Sequence, residues 1–180
     1  MPLPRARAAA GRHAQGVASE RMARDPGCAT HRCGAPPRTG ASDERSIMHT
    51  VTLEDARRIV AAAEAKADEL GQPMNVAVVD SGGNLVTHVR QDGAWIGSIA
   101  IAQSKAWTSR AFDISTHDLA SNAQPGQQFY GIHTTNGGEV AIFAGGVPLE
   151  RDGAIVGAIG VSGGTGDQDQ AVAEAGAAAL

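Results

Sequence analysis

The clearest pattern of apolar positions along the chain begins just after residue 50. Apolar side chains recur there at helical spacing, which predicts an amphipathic helix with one face turned towards a core. Thr52 and Asp55 have the spacing of a capping-box variant at the start of this helix, and Gly71 and Pro73 are typical of its end. The predicted apolar face consists of Ala56, Ile59, Val60, Ala63, Ala67 and Leu70.

Two short segments after this helix have the pattern of strands. Residues 75–80 (NVAVVD) are apolar and β-branched, and residues 85–90 (LVTHVR) alternate apolar and polar side chains. The intervening SGGN predicts a tight turn, with Asp80 accepting backbone N–H groups in it, and hence an antiparallel hairpin. Residues 97–112 then predict a second helix. The predicted apolar face of that helix consists of Ile99, Ala100, Ala106 and Trp107.

The second half of the chain predicts three more strands and a closing helix. Residues 113–139 are loop-like, with one short helical turn near 116–120. The sequences VAIFA, VPLER and AIVGAIGV predict consecutive strands separated by Gly-Gly and Asp-Gly hairpin turns, and residues 167–180 predict the last helix. Strands joined by tight turns are antiparallel. The order α-β-β-α-β-β-β-α therefore predicts an α+β fold with a five-stranded antiparallel sheet packed with helices.

The glycine-rich segment AIVGAIGVSGGTGDQDQ raises the question of a phosphate-binding loop. A dinucleotide fingerprint needs G-x-G-x-x-G after the first strand of a βαβ unit, and a Walker loop ends in Lys followed by Ser or Thr. Here the last glycine precedes Asp167, and Asp167 and Asp169 would repel a phosphate. We therefore interpret Gly157 and Gly160 as positions in a strand where another backbone or a flat ligand comes close.

The composition limits the kind of core that this chain can build. Hydrophobic residues make up 42% of the 180 residues, but aromatic residues make up only 3%. The core must therefore come mainly from Ala, Val, Ile and Leu, which bury little area each. Because self-association adds burial, we expect a homo-oligomer. No apolar run reaches the length of a membrane span, so we expect no membrane partner.

Charge divides the chain into two parts. Residues 1–47 contain eight Arg, no Lys and four acidic residues, and they show no sustained apolar period. Residues 48–180 contain seven basic and fifteen acidic residues. An acidic domain repels phosphate backbones, so we expect no nucleic-acid partner for this part. We predict a disordered basic extension over residues 1–47 and one organised domain over residues 48–180.

Three interpretations of the basic extension stay open: a transit peptide, a flexible tail, or an over-extended start with translation beginning at Met48. The extension lacks the apolar middle region of a secretory signal. Cys28, His31 and Cys33 read C-x-x-H-x-C, which falls short of a complete zinc site. Residues 48–180 contain no cysteine and need no disulfide. That composition is compatible with the cytoplasm, the location that we predict.

Two stretches of the domain resemble a known family. The first is VAVVDSGGNLVTHVRQDGAWIGSIAIAQSKAWTSRAF, and the second is GGVPLERDGAIVGAIGVSGGTGDQDQAVAEAG. Residues 52–180 are thereby identified as similar to the GlcG/HbpS-like family, which includes the C-terminal domain of PduO. The resemblance implies a profilin-like fold, symmetric oligomers and, for some members, haem or iron binding, with haem breakdown in at least one. Many members have no agreed activity, so the resemblance fixes architecture better than chemistry.

Several residues in these motifs are candidates for binding a small anionic or planar ligand. VRQDGA matches the family's R-x-D-G-A turn, in which Arg90 could hold a carboxylate or haem propionate or pair with Asp92 to fix the turn. Lys105 matches the family's K-A pair and could neutralise an anionic ligand or lie solvated on its helix. The backbone N–H groups around Gly145 and Gly146 could face a ligand anion or a neighbouring subunit.

Haem would also need an axial ligand, commonly His, Cys, Met or Tyr. The candidate iron ligands are His88 in the second predicted strand and His117 and His133 in the long loop. Met74 and Tyr130 are further side chains of suitable type. The resemblance selects none of them, because ligation differs between members. The sequence has no Ser-His-Asp arrangement or HExxH motif, so ordinary hydrolase functions receive little support.

Three functions are consistent with these observations. The leading hypothesis is a small-ligand-binding protein that takes haem or another anionic planar ligand in a cleft between the second helix and the sheet, where Arg90 and Lys105 meet carboxylates. The alternative is an enzyme or accessory protein of small hydroxy-acid or aldehyde catabolism, acting without haem. The third is a structural subunit whose Gly- and Ala-rich faces bind a partner protein. Whether the protein is an enzyme stays open at this point.

Overall fold

The computed structural model describes residues 49–180. The predicted disordered extension and the set of Cys28, His31 and Cys33 lie outside these residues. In chain order the elements are helix α1 (Leu53–Leu70), strands β1 (Asn75–Asp80) and β2 (Leu85–Arg90), helices α2 (Ser98–Phe112) and α3 (Thr116–Asn122), 3-10 turns at Ile132–Thr134 and Asn136–Gly138, strands β3 (Gly146–Arg151) and β4 (Ala154–Ser162), and helix α4 (Gly166–Ala177). Every helix among residues 49–180 is too short or too polar to cross a bilayer.

Helix α1 has the start and the end that its sequence predicts. The Thr52 hydroxyl accepts from the Asp55 N–H at 3.1 Å, and the Asp55 carboxylate accepts from the Thr52 N–H at 3.0 Å. This reciprocal pair is a capping box. Gly71 ends the helix with φ of 65°, which glycine adopts without strain. The predicted apolar face is buried except for Leu70, which is 37% exposed.

The strands of the described chain form one antiparallel sheet in the order β2-β1-β4-β3. Strands β1 and β2 form the predicted hairpin. Strand β1 also pairs along its whole length with β4, from Asn75 opposite Ser162 to Asp80 opposite Gly157. Strand β4 pairs with β3 on its other side. The two central strands are therefore distant in sequence, and β2 and β3 form the edges.

The sheet has four strands, so the prediction of five was wrong. Residues 140–144 (VAIFA) are irregular rather than a strand. The Ala141 N–H donates to the Thr108 hydroxyl of α2 at 2.9 Å, and Ala141 is buried. The apolar character of this segment reflects burial beside α2 and not pairing in the sheet. Consequently Gly145 and Gly146 do not form a hairpin turn, and Gly146 is instead the first residue of β3.

Helices cover both faces of the sheet, and an antiparallel sheet packed with helices agrees with the predicted α+β class. Helices α1 and α4 share one face, and their core cluster includes Ile59, Val76, Ile159 and Val172 from α1, β1, β4 and α4 respectively. Helix α2 lies on the opposite face. The cluster on that face consists of Ala77, Val79, Ala102, Ala106 and Ala158. Small side chains on both α2 and the sheet bring this helix close to the strands.

Helix α2 turns a different side towards the sheet than the sequence predicted. Of the residues predicted to form its apolar face, Ala106 is fully buried but Ala100 is exposed. The other fully buried positions of α2 are Ala102, Lys105, Thr108 and Ser109. The buried side is therefore small and partly polar, which apolar periodicity alone does not detect.

Backbone contacts with β4 explain two glycines of the glycine-rich segment. A Cβ atom at Gly160 would overlap the carbonyl oxygen of Ala102 and the nitrogen of Ala106 in α2. A Cβ atom at Gly157 would overlap the Val79 carbonyl oxygen and lie 2.6 Å from a methyl group of Val51. These positions therefore lack side chains because other groups come close to the strand, as the sequence analysis predicted.

Asp55 also joins the start of α1 to the β3–β4 hairpin. Its carboxylate forms salt bridges with Arg58 at 2.6 Å and with Arg151 at 3.0 Å. Burial raises the pKa of Asp55, but hydrogen bonds from Thr52, Arg151 and Arg58 outweigh burial and hold this pKa well below its usual value. The ionised carboxylate is therefore part of the folded structure.

We expect Asp55→Asn to lower the free energy of unfolding at pH 7 by about 1–2 kcal/mol. The pKa of Asp55 is lower in the folded state than in the unfolded state, where 3.8 is usual. The ionised carboxylate therefore stabilises the fold fully above pH 3.8, and this stabilisation is lost as the pH falls through the folded-state pKa. Urea unfolding should therefore show a smaller deficit at pH 3 than at pH 7. Glu54→Gln, which changes an exposed acid in the same turn, is the control. An equal deficit at both pH values would contradict this prediction.

Candidate functional site

A groove of about 300 Å³ lies between helix α2 and the β1–β2 hairpin. The sequence-based hypothesis placed a ligand cleft between the second helix and the sheet, but Arg90 and Lys105, which it assigned to that cleft, do not line this groove. The volume is at the lower end of the range for small-molecule sites. Apolar side chains and a few polar groups line it, among them Leu85, Ala100, Gln103, Ser104, Trp107 and Glu139. This mixture can hold a flat apolar ligand and orient it by a few polar contacts.

Local hydrogen bonds fix the hairpin side of the groove. The Asp80 carboxylate accepts from the N–H groups of Gly82 at 2.8 Å and Asn84 at 2.9 Å, as predicted for Asp80. Gly83 has φ of 77°, and a Cβ atom there would lie 3.3 Å from Cδ1 of Trp107. The turn can therefore approach the Trp107 indole closely, and the two together shape one end of the groove.

His88 is the candidate iron ligand that shares a sheet face with the groove. It lies opposite Ala77 in the β1–β2 register, and Ala77 packs against α2. Side chains of directly opposed residues lie on the same face of a sheet, so His88 also lies on the α2 face. Its Nε2 atom is buried and has no hydrogen-bond partner among residues 49–180. Burial lowers the pKa of His88, which favours the neutral imidazole that binds metals.

The other candidate iron ligands lie elsewhere. His117 is exposed in the first turn of α3, and His133 is exposed in the first 3-10 turn. Met74 is fully buried in the core, whereas Tyr130 is 63% exposed. Across residues 49–180, no group of three or more His, Cys, Asp or Glu side chains could hold a metal ion. The three histidines therefore do not form one shared site.

Arg90 and Asp92 line a separate depression of about 420 Å³ that also includes Asp68 of α1. Both residues are exposed, and no salt bridge joins them to each other. The turn is held instead by Gln91, which accepts from the Met74 N–H at 2.8 Å and donates to Asp68 at 3.0 Å. Fixing the turn therefore does not depend on an Arg90–Asp92 pair.

Lys105 lies inside the fold, between α2, β4 and α4. Its side chain is fully buried, and its ammonium group donates to Asp169 at 2.6 Å and to the Val161 carbonyl at 2.8 Å. The Phe143 ring lies over the same group, with its centroid 4.7 Å from Nζ. Burial lowers the pKa of Lys105, and the hydrogen bond and charge of Asp169 oppose this shift. The ammonium charge is thus balanced within the protein.

Gly145 and Gly146 lie beside Lys105, so the structure brings three predicted binding residues together. A Cβ atom at Gly145 would lie 2.9 Å from Lys105 Nζ, and one at Gly146 would lie 2.6 Å from the Lys105 carbonyl oxygen. The Gly145 N–H donates to Gln170 at 2.9 Å, and the Gly146 N–H donates to Thr116 at 2.8 Å. In this structure, both N–H groups are used within the fold.

Asp169 is the member of this cluster that sequence reasoning did not connect with Lys105. Besides binding Lys105, its carboxylate accepts from the N–H groups of Gly163 at 3.1 Å and Gly164 at 2.9 Å. The glycine turn therefore surrounds a carboxylate of the protein itself, in agreement with the rejection of a phosphate loop. One signal was present in the sequence: Asp169 lies three residues before Val172 on the buried face of α4, where an acid needs a partner.

Comparisons with known proteins agree with the resemblance that the sequence motifs indicate. A family model described as haem-degrading protein HbpS-like matches residues 51–178. An uncharacterized 15.0 kDa protein in the dhaT-dhaS intergenic region of Citrobacter freundii is 42% identical over 125 residues, which cover 69% of this chain and 88% of that protein. The corrinoid adenosyltransferase PduO of Citrobacter freundii is 35% identical over 143 residues, which cover 79% of this chain and 42% of PduO. The chain thus spans less than half of PduO.

The similarity extends to a solved structure. The crystal structure of a PduOC–haem complex is similar with a TM-score of 0.70 and 35% sequence identity, and the match covers 72% of this chain and 94% of that chain. The family model covers nearly all of the residues that the structure describes. The resemblance inferred from the motifs is therefore confirmed, and the chain belongs to the HbpS-like family.

Proposed function

We propose that this protein binds haem, or another anionic planar ligand of similar shape, in the groove between α2 and the β1–β2 hairpin. The observation that carries the proposal is the likeness, in both fold and sequence, to a domain solved as a haem complex. The groove supplies a place for the ligand on the side of the sheet where His88 lies. The binding domain in this proposal is residues 48–180.

The side chains around the groove fit such a ligand. The Nε2 atom of His88, which has no hydrogen-bond partner among residues 49–180, could hold the haem iron if the side chain turned towards the ligand. Leu85 and Trp107 offer apolar surface to a flat ring. Glu139 is the charged residue in the described lining of the groove, so the carboxylates of a ligand would point away from it towards solvent. Arg90 lies in the separate depression and does not line this groove. Bound haem would supply the iron chemistry.

Haem titration tests the proposal directly. We expect stoichiometric haem to produce a Soret band in the purified protein that free haem does not show. We expect His88→Ala to weaken binding by roughly tenfold or more and to shift the band, because even second-shell partners of metal ligands commonly contribute 10–100-fold. The measurement is absorbance during titration, with circular dichroism to confirm that the variant is folded.

Two other histidines serve as matched controls. His117→Ala and His133→Ala change exposed side chains outside the groove and should leave the Soret band unchanged. An unaltered haem spectrum with the wild-type protein would rule out haem binding. Normal binding by His88→Ala, combined with loss in either control, would assign the iron ligand to that histidine in place of His88.

The proposal also includes a cytoplasmic homo-oligomer of profilin-like domains. Large apolar side chains at the surface support self-association: Trp95 is 64% exposed, and Ile96, next to it in the chain, is 76% exposed. Contiguous exposed apolar surface commonly marks interaction sites. Light scattering of the purified protein gives the mass of the assembly, and a monomer at micromolar concentration would contradict this part of the proposal.

A further inference from the structure

Lys105 is a buried nucleophilic side chain that the proposed haem site does not use. We propose that Lys105 is a covalent capture site for small uncharged aldehydes, which reach its amine when the Phe143 side chain rotates. Lys105 itself lies inside the fold and does not line the groove, but Ala100, Ser104 and Glu139 border both the groove and the cavity described below, so bound haem would narrow the route to Lys105. Three observations support the proposal: a cavity lined by Phe143, the position of the Phe143 ring over the Lys105 amine, and the Asp169 carboxylate beside that amine.

A second cavity, of about 170 Å³, lies between α2 and the irregular segment 140–144. Ala100, Ser104, Glu139 and Phe143 are among the residues that line it. Phe143 is 47% exposed, and its ring centroid is 4.7 Å from the Lys105 Nζ atom. The ring thus separates the cavity from the amine on one side.

Rotation of Phe143 would not disturb a regular element. The residue belongs to the irregular segment 140–144, which does not pair with the sheet. Side chains with this exposure change rotamer on the picosecond to nanosecond timescale. A transient opening of this kind would join the cavity to Nζ without moving α2 or β4.

The surroundings of the amine suit condensation with an aldehyde. Asp169 lies 2.6 Å from Nζ and can accept the proton that the ammonium group must release. The neutral amine then attacks the carbonyl carbon, and the resulting carbinolamine loses water to form an imine that takes the proton back. Overall, one ammonium and one aldehyde give one protonated imine and one water. The positive charge remains beside Asp169, so the product keeps the ion pair that the fold requires.

The cavity also indicates which aldehydes would bind. Its volume suits a chain of a few carbon atoms. Glu139 at its wall would repel an aldehyde that also carries a carboxylate, such as glyoxylate. The structure therefore favours small uncharged aldehydes over oxo-acids.

The lysine content of the chain makes a sharp experiment possible. The sequence contains two lysines, Lys66 and Lys105, and Lys66 is a surface residue paired with Glu69. We would treat the full-length protein with propanal and cyanoborohydride at pH 7, which fixes imines as alkylamines, and locate the adducts by peptide mass mapping. We expect Lys105 to react several-fold faster than Lys66, because burial lowers the pKa of Lys105 and the cavity would hold the aldehyde close to Nζ.

Two variants test the route and the identity of the site. Lys66→Arg leaves Lys105 as the single lysine in the sequence. This variant should still form the adduct at Lys105 at the wild-type rate. Phe143→Ala should raise the rate at Lys105 several-fold, whereas Phe129→Ala, which removes a ring of similar exposure, should not. Adducts confined to Lys66 and the N-terminus, or labelling of Lys105 only in urea, would overturn the proposal. An unchanged rate in Phe143→Ala would overturn the route through this cavity.

Discussion

Replacing Gly160 with alanine is expected to lower the free energy of unfolding by about 3 kcal/mol or more, at the upper end of the cost of overpacking. The new Cβ atom would overlap backbone atoms of Ala102 and Ala106. Backbone atoms cannot rotate away as a flexible side chain can, so α2 would have to move off the sheet. That movement would disturb the alanine cluster between α2 and the sheet and the position of Lys105.

Urea unfolding followed by circular dichroism measures this effect. Gly97→Ala is the matched control, because Gly97 has φ of −62° and no atom within 4 Å of an added Cβ. We expect that substitution to be neutral or slightly stabilising. Equal stability of Gly160→Ala and Gly97→Ala would show that α2 and β4 are farther apart than the structure indicates.

The second large effect is expected at Lys105. Lys105→Met keeps most of the side-chain volume but leaves the carboxylate of Asp169 buried without its cation. Removal of one partner from a buried ion pair typically costs about 3–5 kcal/mol. We therefore expect the variant to unfold at much lower urea concentration than the wild type, or to be recovered in poor yield.

A double-mutant cycle separates the charge from the packing at this site. Asp169→Asn removes the negative charge but keeps an oxygen that can accept from the Gly163 and Gly164 N–H groups. In the Lys105→Met background it should therefore restore part of the lost stability, so that the two effects are not additive. Additive losses would mean that the ion pair does not couple the two residues.

The sequence predicted those elements whose signals are local. The start of α1 follows from Thr52 and Asp55, and both strands of the first hairpin have the predicted bounds, because capping and turn chemistry act between near neighbours. The family resemblance depended on motifs of the same local kind. The fifth strand failed because the VAIFA segment is apolar for burial, and apolar content does not distinguish a strand from a buried irregular segment.

The candidate site depended more on contacts that are distant in sequence. Lys105 and Asp169 are 64 positions apart, and their pairing follows from packing of α2 and α4 around β4. The same limit applies to the histidines. His88, His117 and His133 were equivalent candidates in the sequence, and only the fold shows that His88 has a buried nitrogen without a partner among residues 49–180. Burial of this kind results from tertiary structure and leaves no local pattern.

The pairing of β1 with β4 has a consequence for synthesis of the protein. While the ribosome still holds residues 154–162, a nascent β1 has β2 as its neighbour and an open edge on the other side. Its apolar residues on both faces are then open to chaperones or to other emerging chains. Folding of the sheet is therefore completed only after residues 154–162 have left the exit tunnel.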